Sequence, residues 1–144
     1  MAFTPWELAR TLHSGVPQAV PVVLTSGQTV RVGEPLAVTV ATGKVVVAPG
    51  GADTKPIKFV SQMAIGPVAA DTIIMAYPAT PETVFRILSV GSPPVGVRCG
   101  LTATDLTAAV NASQTQIMPI AYDEVNALIA YCVCVNWQTN VAGA

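Results

Sequence analysis

Charge is what this sequence has least of. Of its 144 residues seven are Lys or Arg and eight are Asp or Glu, so charged residues make up 10% and the net charge is -1. An average soluble domain carries about 25%. The bases Arg10, Arg31, Lys44, Lys55, Lys58, Arg86 and Arg98 are scattered and offset by acids. Binding nucleic acid through its phosphates needs them in one stripe, so no nucleic-acid partner is expected. Long hydrophobic runs are missing as well. Mean hydropathy is high at +0.55, but no run approaches the roughly 18 apolar residues of a membrane span. High hydropathy with low charge also excludes intrinsic disorder. The start Met1-Ala2-Phe3-Thr4-Pro5 has neither a basic nor an apolar stretch of the secretory kind. Cys99, Cys132 and Cys134 are an odd set, which argues against a disulfide framework and for a reducing compartment such as a cytoplasm.

The shortage of chemistry-bearing residues bears on catalysis. His13 is the only histidine, so an imidazole metal site or a Ser-His-Asp arrangement has one residue to draw on. Cys132 and Cys134, two apart, share one face of a strand. Only Cys99 could join them, which is too few ligands for zinc, and buried packing is the expected role. Asp123-Glu124 are neighbours that do not face each other in a strand or a helix, so a cap or solvated loop explains them. The loop Gly50-Gly51-Ala52-Asp53-Thr54-Lys55 lacks the glycine spacing of a phosphate loop. No enzyme activity, metal or cofactor is expected.

What the chain has is strands. Short Val- and Thr-rich runs at 20–24, 28–32, 36–40 and 44–48 are separated by Ser26-Gly27, Gly33-Glu34-Pro35 and Thr42-Gly43. Their apolar residues follow period 2. A longer strand is expected at 57–65 with Lys58 and Gln62 facing water. Further strands are expected at 71–77 and 83–88, joined by Pro78-Ala79-Thr80-Pro81, and at 95–101, 108–110, 116–120 and 127–137. Asp105 and Asp123 could each start a helical turn. Turn signals every 8 to 12 residues or so give an all-β fold, a small β-barrel or sandwich.

Residues 1–15 read differently, as an N-terminal arm or short helix ahead of a single β domain at 16–144. Thr4 as N-cap, Pro5 at the first position and Glu7 three residues after Thr4 form a capping signature, and Gly15 is a stop. An extended arm is the competing reading. Either form needs a surface to pack on. Phe3, Trp6, Leu8 and Leu12 are the candidate partner-binding anchors, because large apolar and aromatic groups dominate binding hot spots. The alternative role for Trp6 and Leu8 is to cover the domain's own barrel end.

Two resemblances arise from the residues. Val32-Gly33-Glu34-Pro35-Leu36 followed by Val45-Val46-Val47-Ala48-Pro49 loosely resembles the hammerhead of a biotinyl or lipoyl carrier domain. Lys44 lacks the Met or acidic flanks of the lysine those domains modify. The stretch 25–36, then Gly43-Lys44-Val45-Val46-Val47-Ala48, the segment 71–87, and Gly96-Val97-Arg98-Cys99-Gly100-Leu101-Thr102 together resemble the head decoration, or capsid cement, proteins of tailed bacteriophages. The resemblance covers roughly 20–135, and the N-terminal segment and Cys132-Val133-Cys134 depart from it. It implies a small β-barrel or sandwich on the outside of an assembled shell, made in the host cytoplasm and carried on the virion. It further implies the major capsid protein as partner, self-association as a homotrimer, and an arm that adds to a capsid strand. Low surface charge is consistent with burial against such partners. A tail or fibre subunit, or a carbohydrate-binding domain using Trp6 and Trp137, is the alternative expectation.

Overall fold

The structure, a computed structural model, describes residues 5–12, 17–48, 57–102, 107–109, 116–126 and 128–135. Every element it describes is a strand, as the all-β reading expects. Five of them, β2 (Val20–Leu24), β3 (Pro35–Val38), β4 (Val45–Val47), β5 (Phe59–Ser61) and β6 (Thr72–Pro78), close into a barrel of order β2-β4-β3-β5-β6. Its interior holds Leu24, Val30, Leu36, Val45, Val68, Ile74 and Ala76. Inward Leu36 and outward Ala37 alternate on β3, and both are buried, because the outside of β3 and β5 is covered too.

The cover is a second sheet built around β7 (Thr83–Val90). On one edge β7 pairs with β11 (Ile129–Cys134), which pairs with β10 (Ile117–Tyr122). Its other edge is divided. β1 (Glu7–Thr11) runs antiparallel to Thr83 through Arg86, and β9 (Ala108–Ala109) runs parallel to Ser89 and Val90. β8 (Gly100–Leu101) follows β9, and the sheet curls until Cys99 forms a bridge with Ile117 at the start of β10. A second core fills the curl. Trp6, Phe85, Ile87, Leu101 and Ile117 pack there with Ala37, Ala48, Val60 and Ala79 from the barrel side.

Several expectations need correction. The capping signature at Thr4 does not produce a helix, since residues 7–11 form β1 opposite β7. Trp6 and Leu8 stand two apart, and pairing to β7 sends both towards the second core, so tertiary burial overrides a local cap. Residues 28–32 are not a strand but two turns around one bridge, Val30 to Ile65. Gly27 and Gly33 have φ of 84° and 76°, which bend the chain on either side. The expected strand at 57–65 stops at Ser61, whose Oγ donates to the Met63 carbonyl at 2.6 Å and accepts from its N–H at 3.2 Å. Lys58, expected in water, is buried between Leu36 and Ala79, with which its backbone bonds, and desolvation lowers its pKa. Around Asp123 the chain makes a tight turn, its Oδ1 accepting from the N–H groups of Val125 and Asn126. Asp105 lies outside the described residues.

The turn at 31–34 is pinned by a buried acid. Glu34 is 2% exposed, and its carboxylate accepts from the Arg31 N–H at 3.0 Å and from the Arg31 guanidinium at 2.5 Å. Replacing it by alanine leaves that N–H without its acceptor. Glu34→Ala should therefore cost about 1–3 kcal/mol in urea unfolding. Arg31→Ala should cost at least as much, since it leaves the buried Glu34 carboxylate without its counter-charge.

Candidate functional site

β1 is the least embedded long strand and the one that sets the candidate surface. Among the described residues it pairs only with β7, so its outer edge meets no other strand. It is clamped at its two ends. The Trp6 N–H donates to the Gly33 carbonyl at 3.0 Å and the Leu12 N–H to the Glu82 carbonyl at 2.7 Å. Between them the register slips by one residue, Leu8 opposing Phe85 and Arg10 opposing Val84, which bulges the strand at Ala9. Glu7 and Arg86 add an exposed ion pair at 2.7 Å, worth little by itself in water.

The Gly33 turn brings the barrel to β1. The Gly33 N–H donates to the Ser61 carbonyl at 2.9 Å and the Ser61 N–H to the Glu34 carbonyl at 3.0 Å, so the turn rides on β5. Gly33 is also pressed against the start of the arm. A Cβ there would lie 2.5 Å from the Trp6 carbonyl oxygen. Trp6 turns inward from this point, 3% exposed, its ring 6.0 Å from that of Phe85 and tilted by 47°.

Beside this junction is a groove of about 480 Å³. Trp6, Phe85 and Val60 form its apolar floor, and Leu8, Val32 and Tyr77 are among its walls. Gln62 donates to the Tyr77 hydroxyl at 3.2 Å, which places a polar pair at the rim. An edge that meets no further strand among the described residues, next to an apolar groove, is an arrangement that can take up an extended segment: main-chain bonds along the edge, a side chain in the groove.

The sequence-predicted anchors are placed as follows. Phe3 lies outside the described residues, as do His13 and Trp137. Trp6 sits in the chain's own second core, and Leu8 packs against it. Leu12 is apart from both, 47% exposed at the end of β1. The structure thus brings Trp6 and Leu8 together under the groove and leaves Leu12 at the surface. With Trp6 facing inward, its ring offers no platform for a sugar. The groove residues Val32, Val60, Gln62 and Tyr77 come from three separate stretches of chain, and no local pattern marks them.

The three thiols share the second core. Ile117 stands opposite Cys134 in the β10–β11 pair and opposite Cys99 in the bridge, so one row runs from β11 through β10 to the bridge at Cys99. Burial drives the thiol pKa values up from 9.0, to about 11 for Cys99, to about 12 for Cys134 and further still for Cys132. Thiols held protonated in this way are poor nucleophiles and poor ligands. Among the described residues no group of three His, Cys, Asp or Glu could hold a metal ion. Compared with known proteins, the chain matches no family model and no curated protein.

Proposed function

We propose that this chain is a structural virion protein of a tailed bacteriophage, a decoration or cement protein that binds the outer surface of the assembled capsid and stabilises it. The observation that carries the reading is the edge of β1 that meets no further strand among the described residues, beside an apolar groove of about 480 Å³. It supplies what an extended capsid segment would need, and it needs no charge to do so. The scarcity of charge, 10% of residues, fits a surface that works covered. In this reading the major capsid protein is the partner, and the chain self-associates as a homotrimer. It is made in the host cytoplasm and ends on the capsid exterior. Area buried across capsomer boundaries then favours the assembled state, because a ligand that binds only one state stabilises it.

The groove gives the test. Val32 is half-exposed on its wall, so an aspartate there can stay hydrated in the free protein. Docking of a capsid segment would bury that carboxylate unpaired. Val32→Asp is expected to weaken binding to mature heads of the phage that encodes the chain by at least about tenfold, or 1.4 kcal/mol. Its melting temperature should match the wild type. Equal binding by the variant would remove the groove from the proposal.

A further inference from the structure

We propose that Tyr77 and Gln62 grip the main chain of the docked capsid segment along the edge turned away from β1. The inference rests on the reading above and deepens it, naming the residues that fix the segment's position in the groove. Val60 of β5 and Tyr77 of β6 stand opposite each other in an antiparallel pair. Their side chains therefore leave the barrel on one outward face, and both line the groove. Val60 is buried in the floor, whereas Tyr77 is part-buried and carries its hydroxyl to the rim. Leu8, on β1, belongs to another wall of the same groove.

The polar side chains of the lining single out this pair. Ser61 Oγ is committed to the main chain of Met63, and the Glu7 carboxylate to the Arg86 guanidinium at 2.7 Å. Gln62 Nε2 donates to the Tyr77 hydroxyl oxygen at 3.2 Å. That bond uses the phenol as an acceptor, so its own proton is left over, as is the Gln62 side-chain carbonyl oxygen. No described residue takes either of them. One donor beside one acceptor, both uncharged, matches the C=O and N–H that a strand residue presents along one edge. A segment with one edge on β1 has such groups on its other edge, and they need partners once docking excludes water. The Tyr77 proton has the same need. It is hydrated in the free protein, and under the segment it is either accepted or buried unpaired. The grip works without charge, in keeping with a lining whose only carboxylate is already paired.

The test is Tyr77→Phe in the full-length chain, which keeps the ring and removes only the hydroxyl. Its melting temperature should match the wild type, since the bond it loses is exposed. Titrated onto stripped mature heads of the phage that encodes the chain, it should show a dissociation constant raised at least about fivefold. Gln62→Ala, at an exposed position, should weaken binding in the same way. It decides the matter if Tyr77→Phe melts below the wild type. A Tyr77→Phe chain that melts and binds as the wild type does overturns the proposal, and so does Gln62→Ala where it decides. Loss of binding in Val32→Asp without loss in these variants places the segment in the groove but ungripped, which overturns this inference alone. A wild-type chain that does not bind heads at all fails the capsid reading, and this inference with it.

Discussion

Gly33→Ala should release the N-terminal strand from the barrel and destabilise the chain by about 3–5 kcal/mol, the cost of losing a buried aromatic from a core. Two effects combine at this position. Gly33 has φ of 76°, where an L side chain costs about 1–2 kcal/mol. The added methyl would also sit 2.5 Å from the Trp6 carbonyl oxygen and 2.8 Å from the Trp6 nitrogen, both backbone atoms that cannot swing aside. The cheapest relief is for residues 5 and 6 to lift off, which breaks the Trp6 to Gly33 hydrogen bond and withdraws the indole from Phe85. Trp6 fluorescence in a Trp137→Phe background should shift to the red, and β1 should become a protease site. Gly43→Ala is the control. Gly43 has φ of 70° with open space around it, so only the conformational cost applies. Equal losses for the two variants would show that the contact with Trp6 is not what holds β1.

Alkaline pH should unfold the chain well before the backbone is at risk, and the buried thiols are the reason. In the unfolded chain they titrate near 9.0, whereas folding holds Cys134 to about 12 and Cys132 higher, by desolvation. Between those values the unfolded state has lost protons that the folded state keeps. Their contribution is therefore complete below pH 9 and falls as pH rises towards the folded values. Each buried thiol gives a slope of about 1.4 kcal/mol per pH unit. For Cys132 and Cys134 together that is about 5 kcal/mol over two units, comparable to the whole stability of a small domain. Cys99, raised to about 11, acts in the same direction. Urea midpoints from pH 7 to 11 measure the slope. The double variant Cys132→Ala with Cys134→Ala loses packing at every pH, so the slope above pH 9 is the readout, and it should flatten. Lys58 titrates in both proteins, so its contribution cancels in the comparison; Tyr122, raised by burial and in part by Cys132, loses that part in the variant, which flattens the slope in the same sense. An unchanged slope would mean the thiols are not buried as a group.

How far the sequence reaches is seen by comparing particular strands. β2 is legible to the residue, because Val20-Pro21-Val22-Val23-Leu24 is an apolar run ended by a Ser-Gly turn. The β6 to β7 connection is legible too: Thr83 donates its N–H back to the Thr80 carbonyl at 3.1 Å, and Pro81 fixes the turn. The run at 95–101 shows the limit. Val95 and Val97 look strand-like, yet only Gly100–Leu101 pairs as a strand, because the Pro94 carbonyl and the Val97 N–H close a turn first. Residues 1–15 were ambiguous for a physical reason. A cap signature and an i, i+2 pair of apolar residues coexist there, and only the edge of β7 decides between them. The groove was not legible at all, since the Gly33 turn, β5, β6 and β1 meet there through barrel closure. The anchors Trp6 and Leu8 were legible as a pair. Their inward direction was not, because it depends on Phe85, which is almost eighty residues away.

Binding of the wild-type chain to intact heads tests the capsid-cement reading most directly. Mature heads stripped of accessory proteins are mixed with the purified chain and sedimented, and the bound copies per head are counted as the chain is titrated. Binding is expected to saturate at a fixed number of copies per head, and saturated heads should melt at a higher temperature than stripped ones. A chain that stays in the supernatant at every concentration, with head melting unchanged, would contradict it.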